Sequence, residues 1–160
     1  MLTIMKLYEI HAEARETQPT AVARATLPVA EIGPWLGRTY GAIAGLLAAR
    51  QAAPAGPPFA RFHMLGGGRF EVEAGFPVSS PIEPSGDVQP SELPASQVAV
   101  TVHVGPYDQM EPAYQALASW VTDHGGNLAG DAWEVYFSDP ATQPDPATWR
   151  TEIVQPYREA

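Results

Sequence analysis

The stretch AVTVHVGP at residues 99–106 repeats the pattern of AVARATLP at residues 21–28, a spacing of 99 − 21 = 78 positions, and this pair decides the fold. Each copy ends on proline and runs into a helical pattern. A second pair follows in the same order: in EVEAGFPV (71–78) and TEIVQPY (151–157), Glu73 and Pro77 match Glu152 and Pro156 at 152 − 73 = 79 positions. Repetition at a fixed period is the mark of an internal duplication, so the chain divides into half-repeats of about 1–80 and 88–160, each reading strand, helix, strand, strand. Neither half would close a core alone, and a pseudo-twofold axis should relate them within one domain spanning 1–160.

The second-half helix has the clearer borders. Met110, Ala113, Tyr114, Leu117, Trp120 and Val121 recur on one helical face. Asp108 with Glu111 forms a capping-box pattern, Pro112 falls in the tolerated first turn, and Gly125 marks the stop. In the first half Ile32, Trp35, Leu36, Tyr40, Ile43, Leu46 and Leu47 give a similar face, and Gly37, Gly41 and Gly45 suggest close backbone approach to a sheet. Strands are expected at residues 7–10, 20–27, 59–64, 70–78, 98–104, 133–137 and 151–154, with another near 88–93. LGGGRF (65–70) reads as a hairpin turn, because its glycines lack the following helix and the Lys and Ser or Thr of a phosphate loop.

Composition bounds the chemistry. With 160 residues, 45% hydrophobic and 17% charged, the chain can bury a core without a metal or disulfide staple, and the absence of cysteine removes thiol chemistry. The net charge of −9 argues against direct nucleic-acid binding, which draws its affinity from cationic residues, and favours cationic or neutral partners. The opening MLTIMKLYEIHAEARE has no apolar core before a cleavage site and no stretch long enough to enter a membrane, so a cytoplasmic protein is the expectation. His11, His63, His103 and His124 have no metal-ligand spacing, no dinucleotide or nucleophile-elbow motif is present, and no cofactor is called for. His103, opposite Val100, Val102 and Val104 in the alternation of its strand, reads as a half-exposed or hydrogen-bonded structural residue rather than a general base.

One residue resists the apolar reading of its strand. Alternation in WEVYF (133–137) puts Trp133, Val135 and Phe137 on one face and Glu134 and Tyr136 on the other. On a wet face Glu134 would be an ordinary acid, paired across the hairpin with Arg150 at small gain. In a cavity walled by Tyr8, Tyr40, Phe62, Phe76, Tyr107, Tyr136 and Trp149 it would need a cation, because an unpaired buried charge costs several kcal/mol. A cationic aromatic guest would supply one.

VAVTVHVGPYDQM, LASWVTDHGG, WEVYFSDP and WRTEIVQPY together resemble the second half of the GyrI-like small-molecule-binding domains, the effector-binding domains of multidrug-responsive transcription regulators; FEVEAGFPV is the best match in the first half. The resemblance covers nearly the whole chain. It implies an α+β fold in which duplicated strand-helix-strand-strand modules form a curved, mainly antiparallel sheet with two helices and a ligand cleft between the modules. It maps a central pocket glutamate onto Glu134 and the tyrosine of a G-P-Y turn onto Tyr107, with Trp149 near an aromatic position. Many such domains carry a DNA-binding helix-turn-helix; a stand-alone form is expected here. Function then reads as capture of lipophilic, often cationic, small molecules. Two other functions fit the resemblance: a hydrolase that opens strained-ring electrophiles with Glu134 as its base, and an acidic modulator of a protein partner such as gyrase.

Overall fold

The computed structural model describes residues 8–140 and 142–159. Its nine strands are β1 (His11–Arg15), β2 (Gln18–Pro28), β3 (Phe59–Gly66), β4 (Arg69–Pro77), β5 (Gln89–Leu93), β6 (Ser96–Val104), β7 (Gly126–Leu128), β8 (Trp133–Tyr136) and β9 (Arg150–Glu159); the helices are α1 (Val29–Ala49) and α2 (Glu111–Asp123). All strands join one antiparallel sheet in the order β1-β6-β9-β8-β3-β4-β2-β5, with β7 on β9. The α+β class and the paired modules expected from the sequence are both present: β2-α1-β3-β4 and β6-α2-β8-β9 occupy mirrored places in that order, meeting at β3 and β8.

The edge strands are exchanged between modules. β1 precedes the first module yet pairs with β6 of the second, Arg15 opposite Ser96, while β5 precedes the second yet pairs with β2 of the first, Leu93 opposite Gln18. The two ladders are related by the sequence spacing, since 93 − 15 = 78 and 96 − 18 = 78. Each half thus closes the other's open edge.

Both helices pack on one face of the sheet. Ile43 and Leu47 of α1 lie against Ala21 and Phe76, and Leu117 and Val121 of α2 against Ala99 and Ile153. The opposite face carries its own cluster, in which Val22, Phe59, Val98, Val100, Trp133 and Val154 are each at most 1% exposed. A sheet apolar on both faces explains why Trp133 and Glu134, on alternate sides of β8, are both withdrawn from water.

Several local expectations change. The strand expected at 7–10 begins instead at His11 (Leu7 lies outside the described residues): β1 is a polar edge strand that pairs with β6 from His11 to Arg15 and reaches Glu152 of β9 through Arg15. β7 was unanticipated and β9 is longer than expected. Asp108 does not cap α2: it sits in a one-turn helix at Tyr107–Gln109, and Met110 holds the N-cap position without a side-chain bond. Gly125 does end α2, at φ +77°. Gly37, Gly41 and Gly45 face solvent with open space where a Cβ would stand, so they do not bring α1 closer to the sheet.

Candidate functional site

β8 places Glu134 opposite Ala60 of β3 on one side and Ile153 of β9 on the other. Ala60 packs under Trp35, Leu36 and Tyr40 of α1, and Ile153 under Leu117 and Val121 of α2. Glu134 therefore rises on the helix-bearing face, in the seam between the two helices, and is half-buried there. It does not lie opposite Arg150, whose ladder partner is Val104.

Two phenols hold the carboxylate. The Tyr136 hydroxyl donates to Oε1 at 2.8 Å and the Tyr114 hydroxyl, from α2, donates to Oε2. Rings extend from this pair in both directions. Tyr107 meets Tyr136 edge-on at 5.6 Å and stacks on Trp149 at 4.7 Å; on the other flank Tyr40 meets Tyr136 at 6.4 Å. The indole N–H of Trp149 donates to the Gln143 carbonyl at 2.6 Å, and the Trp149 carbonyl accepts from the Gly105 N–H at 2.8 Å, which ties Gln143 and Trp149 to the turn carrying Tyr107. Tyr40 directs its hydroxyl to the Phe59 carbonyl at 2.8 Å.

The electrostatics follow from this packing. Burial lifts the Glu134 carboxyl above the usual carboxylate range, while the two phenol hydrogen bonds, which favour the charged form, pull partly against it. Burial, then the neighbouring carboxylate, pushes Tyr40, Tyr107, Tyr114 and Tyr136 upward, so the phenols remain protonated donors at neutral pH. Among the described residues no Lys, Arg or His pairs with Glu134. Nor, among them, does any group of His, Asp and Glu have the arrangement to hold a metal ion.

Of the residues singled out in the sequence, Glu134, Tyr136, Tyr107, Trp149 and Tyr40 come together. Phe76 touches Tyr40 at 5.7 Å but is buried beneath α1 with Ile43 and Leu47. Phe62 packs on Phe70 at 6.3 Å in the cluster under α1. Tyr8 is elsewhere, packed against α2 and hydrogen-bonded to His103 Nδ1 at 3.1 Å; the other nitrogen of this buried histidine bonds the Pro106 carbonyl at 3.0 Å, a structural role. Tyr114 was missed. Its spacing on α2 matches the core face, and only its place at the edge of that face, beside Leu117 yet half-buried, could have marked it as a donor into the seam.

The GyrI-like small molecule binding domain matches residues 16–158. No curated protein matches the chain. Among solved structures, the EcmrR C-terminal domain superposes with a TM-score of 0.81 at 21% identity, over 97% of this chain and all of that one. A hydrolase from Listeria innocua gives 0.68 at 9% identity, covering 94% of this chain and 92% of its own. SAV2435 bound to tetraphenylphosphonium gives 0.64 at 14% identity, covering 94% of each. These likenesses are to the fold. Among the described residues no helix is long and apolar enough to cross a membrane.

Proposed function

The chain belongs to the GyrI-like small-molecule-binding family, and from that premise we propose that it captures lipophilic cations in the seam between α1 and α2, with Glu134 as their counter-ion. The observation that carries this reading is the state of the carboxylate. Its oxygens are met by two neutral phenols and by no cation among the described residues, so the fold bears the cost of desolvating it and leaves its charge for a guest.

The hydrogen bonds also set the class of guest. With both oxygens engaged, a primary ammonium would lose its water and find few free acceptors, whereas a quaternary ammonium or phosphonium needs none and interacts through charge alone. Such an ion also spreads its charge over the faces of Tyr107, Tyr136 and Trp149, at about 0.5–2 kcal/mol per ring. Tetraphenylphosphonium, the ligand named for the SAV2435 structure, is the probe of choice. Trp149 fluorescence should quench on its addition, and Glu134→Gln should weaken it at least tenfold while changing affinity for neutral triphenylphosphine oxide less than twofold. Equal weakening of both would remove the counter-ion role.

A second reading uses the same carboxylate for hydrolysis of strained-ring electrophiles, and the upward shift of Glu134 favours it: a base poised nearer neutrality suits proton abstraction from water. Catalytic consumption of excess electrophile, lost in Glu134→Gln with binding retained, separates this reading from simple capture.

A further inference from the structure

On the other side of the sheet, behind the Glu134 seam, lies a cleft of about 300 Å3 lined by Arg61, His63, Glu71, Glu73, Gly130 and Asp131. Strand alternation separates the two places. Ala60 and Glu134 face the helices, and their neighbours Arg61 and Trp133, paired with each other across β3 and β8, face the opposite way. The cleft lies just beyond the apolar cluster that holds Phe59 and Trp133, so it forms no part of the seam.

Its charges are unevenly matched. On the β3–β4 ladder Arg61 stands opposite Glu73 and His63 opposite Glu71. The first pair closes: Arg61 Nη2 reaches Glu73 Oε1 at 2.9 Å, and Arg24 takes the other oxygen at 2.8 Å, so the nearly buried Glu73 is fully satisfied. The second pair does not close. His63 turns from Glu71 and puts Nδ1 on Asp131 Oδ1 at 3.0 Å. Among the described residues, this leaves the Glu71 carboxylate and Asp131 Oδ2 as acceptors without a hydrogen bond, and Arg61 Nε and Nη1 and His63 Nε2 as unused donors. The Asp131 carboxylate, with Glu71 adding to it, raises the pKa of His63, so the ring carries a proton on both nitrogens over more of the neutral range.

The geometry points to a second binding site in this cleft for a small zwitterion of the amino-acid class, its ammonium taken by Glu71 and Asp131 and its carboxylate by Arg61 and His63. Charges of both signs with spare hydrogen-bonding capacity suit a ligand that presents both ends, and a lone anion or cation would leave half of them unanswered. A cleft of this size holds a molecule of that class with room for water. This polar site complements the seam, where guests without N–H donors are favoured.

The test is an amide-resolved NMR titration of the whole protein with 6-aminohexanoate, 1,5-diaminopentane and glutarate in parallel, following Gly130 and Asp131. Saturable shifts with 6-aminohexanoate, at least tenfold weaker binding of the two single-signed ions, and at least fivefold weakening by Glu71→Gln and by His63→Gln are expected. Glu134→Gln should leave these shifts unchanged, and tetraphenylphosphonium should not compete for them, so failure here is distinct from failure at the seam. Absence of saturable shifts with 6-aminohexanoate, equal binding of either single-signed ion, or no effect of the two substitutions would each overturn the assignment.

Discussion

Glu134 stands directly opposite Ala60 where β8 meets β3, and this is the pair that the duplication maps onto itself. The buried helix residues Thr39, Ile43 and Leu47 correspond to Ala113, Leu117 and Val121 at 113 − 39 = 74. The same offset carries Ala60 onto Glu134, since 134 − 60 = 74, and exchanges the flanking pairs Phe59–Val135 and Arg61–Trp133. It also carries Tyr40 onto Tyr114. Where the second half has acid and phenol in contact, the first has alanine, and Tyr40 donates instead to a backbone carbonyl. The asymmetry gives the seam one carboxylate on its axis; two would face each other there and repel.

The titration of Glu134 should be visible in both binding and stability. Its folded pKa is raised, so below that value a bound cation must expel a proton. Affinity for tetraphenylphosphonium should then fall about tenfold per pH unit, and calorimetry in buffers of different ionisation heat should register proton release there and none at higher pH. Without ligand the sign is opposite to that of a salt-bridged acid. Between the ordinary carboxylate value and the raised one, the folded state binds more protons than the unfolded, so stability declines as pH rises through that window and then levels. Thermal unfolding from pH 4.5 to 8 should show this slope in the native protein and lose it in Glu134→Gln; parallel profiles would mean that Glu134 titrates normally.

Tyr114→Phe keeps the ring and removes one donor from the carboxylate. Hydrogen bonds to charged groups contribute about 1.5–3 kcal/mol, so Glu134 should rise further and the pH midpoint for cation binding should move up by about one to two units. The readout is the pH profile of affinity. A uniform loss at every pH would assign Tyr114 to packing alone.

Much of this architecture was legible because it rests on local periodicity. The 78- and 79-residue spacings place the two modules, the apolar faces of both helices are those observed, and LGGGRF turns at Gly66–Gly68 with positive φ at all three. What escaped depends on tertiary placement. β1 is an edge strand whose polar residues alternate only with alanine, so no large apolar residue marks a buried face, and its partner lies in the other half of the chain. Tyr8, Phe62 and Phe76 share the ring chemistry of Tyr107 and Trp149, and composition could not separate rings that line the seam from rings beneath α1 or against α2. Tyr114 was hidden for the converse reason, since a donor at the edge of a helical face has the spacing of a core residue.

Trp149 closes the outer end of the ring series from a loop, stacked on Tyr107 and only half-buried. Trp149→Ala should therefore separate binding from stability. Loss of one stacked aromatic contributes about 0.5–1.5 kcal/mol, which predicts roughly a three- to tenfold drop in affinity for tetraphenylphosphonium, read by calorimetry because the fluorescent reporter is removed. The melting temperature should fall by no more than about 4 °C. A larger loss of stability with unchanged affinity would make Trp149 a structural clasp.

Two glycine substitutions test the packing that carries the seam, and they should differ in sign. Gly75 lies between β2 and β3, opposite Val22 and Phe59. A Cβ there would come within 1.8 Å of the Ala21 carbonyl oxygen and 2.9 Å of Val22 Cα. Both obstacles are backbone of a neighbouring strand, so relief requires the β2–β4 ladder to part. Gly75→Ala should cost more than about 3 kcal/mol, seen as a fall of roughly 6–12 °C in melting temperature or as failure to accumulate folded protein. On the exposed face of α1 a Cβ at Gly45 meets nothing within 4 Å, and Gly45→Ala should add about 0.5–1 kcal/mol through helix propensity and reduced freedom of the unfolded chain. Stabilisation by the first substitution, or loss by the second, would contradict the strand spacing or the solvent-facing placement of that helix surface.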